Sequence, residues 1–148
     1  MSGNVFLDTN ILVYALDASD ENKNRTATRL VTEAFRSKNG VISTQVLKEF
    51  FVTVTQKIPK KLDPVDSKKI TKKFALLEVV ETNVPLVLHG IDIHKENKMS
   101  FWDAMIVAAA KVSDCTILFT QDLSHDTVIG DVHVLNPFVK NERDEETS

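Results

Sequence analysis

Two aspartates directly follow predicted strands, and a third acid begins an apolar helix. The run VFLD ends in Asp8, and ILFTQD ends in Asp122. Groups that follow the carboxyl ends of parallel strands gather at one edge of the sheet, where α/β folds bind their ligands. The third acid, Asp103, lies in SFWDAMIVAAA, whose apolar residues around Trp102 predict a largely buried helix. A carboxylate in such surroundings requires a cation or several hydrogen-bond donors to stay ionised.

Each acid also has a purely structural explanation. Ser100 and Asp103 have the S-x-x-D spacing of a helix cap, and turns after strands favour residues such as Asp8 and Asp122. Glu49 is predicted on the polar face of an amphipathic helix, where solvated acids are common. None of this explains why several acids should collect at one edge. For Glu49 alone the solvated face is the favoured explanation. The joint hypothesis for the three aspartates is a site for Mg²⁺ or Mn²⁺ that hydrolyses phosphate esters.

Short strands alternate with helices along the chain and would position these acids. Strands are predicted at residues 5–7, 41–43, 77–81 and 116–120, and a final short one within 132–138. Helices are predicted at 10–15, 23–37, from 44, at 64–75 after a cap at Asp63, from 83 with a weak point at Gly90, and from 100. This order predicts an α/β fold with a central, mostly parallel, short-stranded sheet flanked by helices on both faces.

Length and composition limit the class of protein. The 148 residues, 26% of them charged, predict one globular domain over residues 1–138 and an acidic, disordered tail over 139–148. Cys115 is the only cysteine, so no intrachain disulfide can form. The N-terminal residues do not have the pattern of a signal peptide, and no apolar run approaches the ~20 residues of a membrane span. We therefore expect a cytoplasmic protein without a membrane partner.

Four motifs in order resemble those of the PIN-domain family. They are FLDTNILVYALD, ISTQVLKEFF, SFWDAMIVAAA and LFTQDLSHD, and VHVLNPF follows them. Each motif is weak alone, but four in this order are specific, and the greatest likeness is to VapC-type toxins of prokaryotic toxin–antitoxin pairs. The first acid of the family falls on Asp8, the helix glutamate on Glu49, the third acid on Asp103 and the fourth on Asp122.

The resemblance implies a Rossmann-like fold and a Mg²⁺- or Mn²⁺-dependent endoribonuclease that leaves 5′-phosphate and 3′-hydroxyl ends. It also implies a homodimer inhibited by a small antitoxin protein. Thr9, Asn10 and Thr120 match polar residues that orient the carboxylates in relatives. Many relatives carry an acid in place of Gln121 and a glycine near Asp126. Because the fourth acid is the least constant one, Asp126 is a candidate to replace or supplement Asp122.

Four lysines are candidate contacts for the RNA backbone, despite a net charge of −3. Lys68 and Lys72 are four residues apart, as are Lys69 and Lys73, so each pair lies along one side of a predicted helix. These lysines equally fit a solvated helix face or a contact with acidic residues of an antitoxin.

Two other functions are compatible with aspartates after strands. One is a phosphohydrolase of the haloacid-dehalogenase type, which needs a second acid two residues after the first, where this chain has Asn10. The other is a PIN-like domain that binds RNA or a partner without cutting. The presence of all four acids favours a catalytic site over this second alternative.

Overall fold

A six-stranded sheet forms the centre of the computed structural model, which describes residues 3–139. The strands are β1 (Asn4–Leu7), β2 (Gly40–Ser43), β3 (Glu78–Val80), β4 (Cys115–Phe119), β5 (Thr127–Ile129) and β6 (Val132–Leu135). Their order across the sheet is β3-β2-β1-β4-β6-β5, and only the β5–β6 pair is antiparallel. The predicted α/β fold with a mostly parallel sheet is confirmed.

Six helices connect and cover these strands within the described residues. They are α1 (Thr9–Leu16), α2 (Glu21–Ser37), α3 (Thr44–Gln56), α4 (Pro64–Phe74), α5 (Val84–Glu96) and α6 (Phe101–Val112). A polar side chain at each N-cap accepts a backbone hydrogen bond from the first turn, including the predicted caps Asp63 and Ser100. Among residues 3–139, no helix has the length and apolarity needed to cross a membrane.

The point where the strand order reverses lies between β1 and β4. From β1 the chain proceeds to β2 and β3 on one side, and β4 then pairs with the other side of β1. Phe6, Leu7 and Leu118 are fully buried, so these two strands are anchored in the core. Crevices at such a reversal, beyond the carboxyl ends of the strands, are the usual ligand sites of open α/β sheets.

Gly90 allows a close approach between α5 and α6. A Cβ atom at this position would collide with the Sδ atom of Met105 on α6. Helix α5 continues through Gly90 from Val84 to Glu96, so the predicted weak point is a packing contact. Opposite it, seven consecutive residues of α6, Ala104–Ala110, are buried.

Strand β5 was not predicted, because three residues are too few to show alternation. It pairs with β6 through a two-residue connection, in which Gly130 adopts a φ of 60°. Glycine takes this conformation without the steric penalty of a Cβ atom. The predicted disordered tail lies outside the described residues, apart from Val139. The single-domain boundary at residue 138 stays a prediction.

Candidate active site

Asp8 is buried at the junction of β1 and α1, where it is 4% exposed. Its Oδ1 accepts a hydrogen bond from the backbone N–H of Thr9, and its Oδ2 accepts one from the hydroxyl of Thr120, each at 2.7 Å. Burial raises the pKa of Asp8 to about 6, although these two hydrogen bonds oppose the shift. The nearby negative charges of Asp122 and Glu49 raise this pKa further, so three acids share one neighbourhood.

Glu49 reaches this neighbourhood from α3, where it is half-buried. The hydroxyl of Thr9 donates to its Oε2 at 2.7 Å, and the amide of Gln45 donates to its Oε1 at 3.0 Å. One donor belongs to α1 and the other to α3, so both carboxylate oxygens are oriented. The predicted amphipathic pattern of this helix is confirmed, because Val46 and Phe50 are fully buried.

Asp122 follows β4 and is connected to α1 by Asn10. The Asn10 amide donates to Oδ2 of Asp122 at 3.2 Å, and its Oδ1 accepts from the N–H of Gln121 at 3.2 Å. The N–H of Asp122 donates to the Thr120 hydroxyl at 3.1 Å. Partial burial and the charges of Asp103 and Glu49 raise the pKa of Asp122, while the Asn10 hydrogen bond lowers it.

Asp103 lies in the first turn of α6, and its N–H donates to the Ser100 hydroxyl at 3.0 Å. The predicted cap is therefore present, and Asp103 also approaches Asp122 closely enough to raise its pKa. Thr9 thus links Asp8 to Glu49, and Thr120 links Asp8 to the loop of Asp122, whereas Asp103 is related to this group through its charge near Asp122. The prediction of a largely buried helix is confirmed, because residues 104–110 are all buried, although Trp102 itself is 65% exposed.

The donor set fits a hard divalent cation. Within residues 3–139, the ion pairs are Arg36–Glu33, Lys95–Asp92 and His133–Asp126, so none neutralises the four acids. Neighbouring carboxylates that repel one another are stabilised by a cation. Within residues 3–139, no three acidic, histidine or cysteine side chains are grouped so that they could hold a metal ion together. Mg²⁺ does not require such a group, since it commonly takes one or two carboxylates and completes its shell with water and phosphate oxygens.

A cavity of about 690 Å³ opens beside these acids, and two lysines are among the residues that line it. Glu49 and Asp122 line it together with Thr9 and Asn10. Lys48 and Lys57 line it as well, and Lys48 was not singled out from the sequence. The available signal was its position next to Glu49 on the same helix. The predicted RNA contacts on α4 are exposed but do not line this cavity; they are Lys68, Lys69, Lys72 and Lys73.

Asp126 lies on the turn that leads into β5, and its hydrogen bonds go to His133 and Val134, not to the four acids. Its Oδ1 is 2.6 Å from Nε2 of His133, and its side chain is 69% exposed. Asp126 adopts a φ of 62°, a conformation that favours glycine, the residue that the family resemblance implies near this position. The suggestion that Asp126 replaces or supplements Asp122 receives no support from any contact here.

Gln121, which stands where many relatives have an acid, contacts a lysine. Nζ of Lys23 donates to Oε1 of Gln121 at 3.2 Å and to the Tyr14 hydroxyl at 3.3 Å. The same Nζ lies 4.8 Å from the centroid of the Tyr14 ring. Lys23 therefore places a positive charge beside the loop that carries Asp122.

A comparison with models of known protein families identifies the family of this chain. Residues 5–129 match the PIN domain. The chain belongs to the PIN-domain family. This match covers all four acids and confirms the resemblance read from the motifs. No curated protein matches the chain.

Several solved structures share this PIN-domain fold at low sequence identity. The sarcin–ricin-loop-cleaving toxin VapC20 of Mycobacterium tuberculosis is 19% identical, with a TM-score of 0.60, over 80% of this chain and 90% of its own. DNA-bound VapBC from Salmonella typhimurium is 19% identical, with a TM-score of 0.62, over 89% and 96%. A toxin–antitoxin complex from Klebsiella pneumoniae is 18% identical, with a TM-score of 0.62, over 90% and 98%. At these identities the likeness shows the fold.

Proposed function

We propose that this PIN-domain protein is a metal-dependent endoribonuclease. The observation that carries the proposal is the buried Asp8, which Thr9 and Thr120 connect by hydrogen bonds to Glu49 and to the loop of Asp122. The charge of Asp103 near Asp122 supports the inclusion of the fourth acid. Burying Asp8 where no described cation balances it is unfavourable for folding alone, which supports a role in binding a ligand.

Each acid has a proposed role toward Mg²⁺ or Mn²⁺. Asp8 and Asp103 would hold the principal ion directly, and Glu49 would hold it directly or through water. Asp122 would assist or hold a second ion. A bound divalent cation would neutralise charge on the scissile phosphate and make a water molecule more acidic. Thr9, Asn10 and Thr120 keep the carboxylate oxygens oriented through the hydrogen bonds described above.

RNA must approach an acidic centre, and the lysines beside it reduce the repulsion. Lys48 and Lys57 line the same cavity as Glu49 and Asp122, so they can contact phosphates next to the scissile one. The lysine pairs on α4 remain candidates for contacts farther along the strand. Unpaired loop nucleotides suit this open cavity better than a duplex does, because their bases can be splayed out and read.

We further propose that the protein is the toxin of a toxin–antitoxin pair. The support is its structural likeness to VapC20 and to the VapBC complex, both at TM-scores of 0.60 or above. A cytoplasmic location, with access to cellular RNA, follows from this role. Expression in a bacterial host should arrest growth, whereas the Asp103→Asn variant should not. A short adjacent gene encoding a protein with a DNA-binding N-terminus would be the expected antitoxin.

A homodimer is part of this proposal, and α5 offers a surface for it. Val84, Leu88 and Ile91 lie at helical spacing and are 71%, 57% and 40% exposed. An exposed apolar row of this kind favours contact with another protein surface. Light scattering should find a dimer for the wild type and a monomer for Leu88→Glu.

Cleavage of a loop-containing RNA tests the nuclease proposal directly. Wild-type protein should cut with Mg²⁺ or Mn²⁺ and stop when EDTA removes the ion, and the cuts should map to defined positions. Asp103→Asn should abolish cutting, whereas Asp92→Asn, at an exposed acid paired with Lys95 on α5, should retain it. Equal cleavage by Asp103→Asn would overturn the assignment. RNA binding without cleavage under any divalent ion would favour the non-catalytic PIN-like alternative.

A further inference from the structure

A second pocket of about 450 Å³ adjoins the acidic cavity. Its apolar wall consists of Val87, Phe101, Trp102 and Met105. We call it the Trp102 pocket. Glu49 and Lys48 line both this pocket and the acidic cavity, so the two spaces are neighbours across α3.

Trp102 is held in place yet remains open to solvent. Its ring meets Phe101 edge-on, with centroids 5.3 Å apart and planes inclined by 68°. Its backbone oxygen accepts a hydrogen bond of 3.2 Å from the Gln45 amide, which also donates to Glu49. The side chain nevertheless stays 65% exposed, so its large aromatic surface can be covered by a ligand. The same helix turn therefore carries the exposed indole and, one residue later, the candidate ligand Asp103.

We propose that the Trp102 pocket binds a nucleobase of the RNA substrate by stacking on the indole, next to the scissile phosphate. This inference rests on the nuclease proposed above. A phosphate placed among the carboxylates brings the bases of its neighbouring nucleotides to adjoining surfaces, and the Trp102 pocket adjoins the site through Glu49 and Lys48.

The composition of the pocket favours a base as the occupant. An aromatic, apolar wall covers the flat face of a base, while Gln45 and Thr82 in the lining supply polar groups for its edge. Lys48 provides a positive charge for the attached phosphate. Stacking on an aromatic side chain tolerates different bases, but the base must first be free of a duplex. This pocket would therefore select unpaired nucleotides over paired ones, with little preference for sequence.

Intrinsic fluorescence gives a direct test, because Trp102 is the only tryptophan in the chain. Full-length Asp8→Asn protein, used to prevent cleavage, would be titrated with single-stranded hexaadenylate RNA in the presence of Mg²⁺. Stacking should quench the Trp102 emission in a saturable way. An abasic ribose-phosphate oligomer of the same length should leave the emission unchanged. Binding detected by anisotropy of labelled hexaadenylate, without any quenching, would overturn the proposal.

Cleavage kinetics test the same contact in the active protein. Trp102→Ala should raise KM about tenfold to a hundredfold with a smaller change in kcat, because one stacking contact is lost. Trp102→Phe should restore most of the loss. Leu76→Ala, at a residue that is 80% exposed and follows α4, is the matched control and should behave as wild type. An abasic site at the stacked nucleotide should weaken the wild type but add nothing to Trp102→Ala.

The two proposals fail in different ways. If wild-type protein cuts RNA and Trp102→Ala keeps its KM, the stacking proposal is wrong and the nuclease stands. If hexaadenylate quenches Trp102 but no divalent ion supports cleavage, the base pocket stands and the nuclease is wrong. If Trp102→Ala converts a dimer into a monomer and RNA causes no quenching, the indole contacts a second copy and the stacking proposal is wrong.

Discussion

Asp8 and Asp126 both adjoin strands of the same sheet, but their environments are opposite. Asp8 is 4% exposed and accepts hydrogen bonds from the neutral donors Thr9 and Thr120. The side chain of Asp126 is 69% exposed and pairs with the imidazole of His133. An acid buried without a cation is unfavourable for stability unless a ligand uses it, whereas an exposed ion pair needs no ligand. Burial and hydrogen-bond partners, more than proximity to a strand, therefore distinguish Asp8, the candidate catalytic acid, from Asp126, a structural one.

The largest expected difference between these two acids is in catalysis. Asp8→Asn should reduce RNA cleavage by at least about a thousandfold, because the site loses a charged oxygen at its deepest point. Asp126→Asn should cleave within about twofold of wild type. Initial rates on one RNA, at a single Mg²⁺ concentration, measure both variants. Equal losses of cleavage rate in the two variants would show that the buried Asp8 and the exposed Asp126 do not differ in function.

Asp8→Asn, which is expected to lower activity, should raise the stability of the metal-free protein. The folded pKa of Asp8, about 6, lies above the ordinary value of an unfolded aspartate, ~3.9. The metal-free protein therefore loses stability as pH rises from about 4 to above 6, and Asp8→Asn avoids this loss. At pH 7.5 in EDTA the variant should be more stable by about 3 kcal/mol. Urea unfolding at pH 4 and 7.5 measures the difference, which should disappear at pH 4.

A smaller effect is expected when only the orientation of Asp8 is disturbed. Thr120→Val removes the hydroxyl that donates to Asp8 and accepts from the N–H of Asp122. Losing such a supporting hydrogen bond typically lowers metal affinity or activity about 10- to 100-fold. Thr127→Val, at an exposed-edge hydroxyl that donates to the Ser124 carbonyl, is the matched control. Mg²⁺ dependence of the rate distinguishes weaker metal binding from a slower maximal rate.

The smallest effect on stability and cleavage is expected for a change in the hairpin formed by β5 and β6. His133→Gln removes the partner of Asp126 at a solvent-exposed position, so unfolding should change by less than about 1 kcal/mol. Cleavage should not change. A large loss of activity in this variant would show that the hairpin contributes to the site after all.

The positions of Asp8 and Asp103 were accessible from the sequence because local patterns specify them. A buried strand ends at Asp8, and a serine cap fixes the start of the helix that carries Asp103. The central sheet was equally accessible, since its strands are short apolar runs between amphipathic helices. Local signals of this kind depend only on neighbouring residues.

Contacts between distant segments could not be predicted in the same way. The link from Asn10 to Asp122 spans 112 residues, and no spacing rule brings those two side chains together. The exposure of Trp102 depends on where α6 extends beyond its neighbours, which the pattern that predicts a largely buried helix does not specify. Strand β5 is too short to show alternation, and the only local signal for it is the pair Gly130 and Asp131, whose residue types suit a tight turn between β5 and β6.

The missing side chain at Gly90 also has a consequence for catalysis at a distance. A Cβ atom at position 90 would meet the Sδ atom of Met105 on α6, so this side chain would have to move to admit it. Asp103 is only two residues before Met105. Gly90→Ala would therefore force Met105 to repack behind the candidate ligand Asp103 while leaving every acid of the candidate site unchanged.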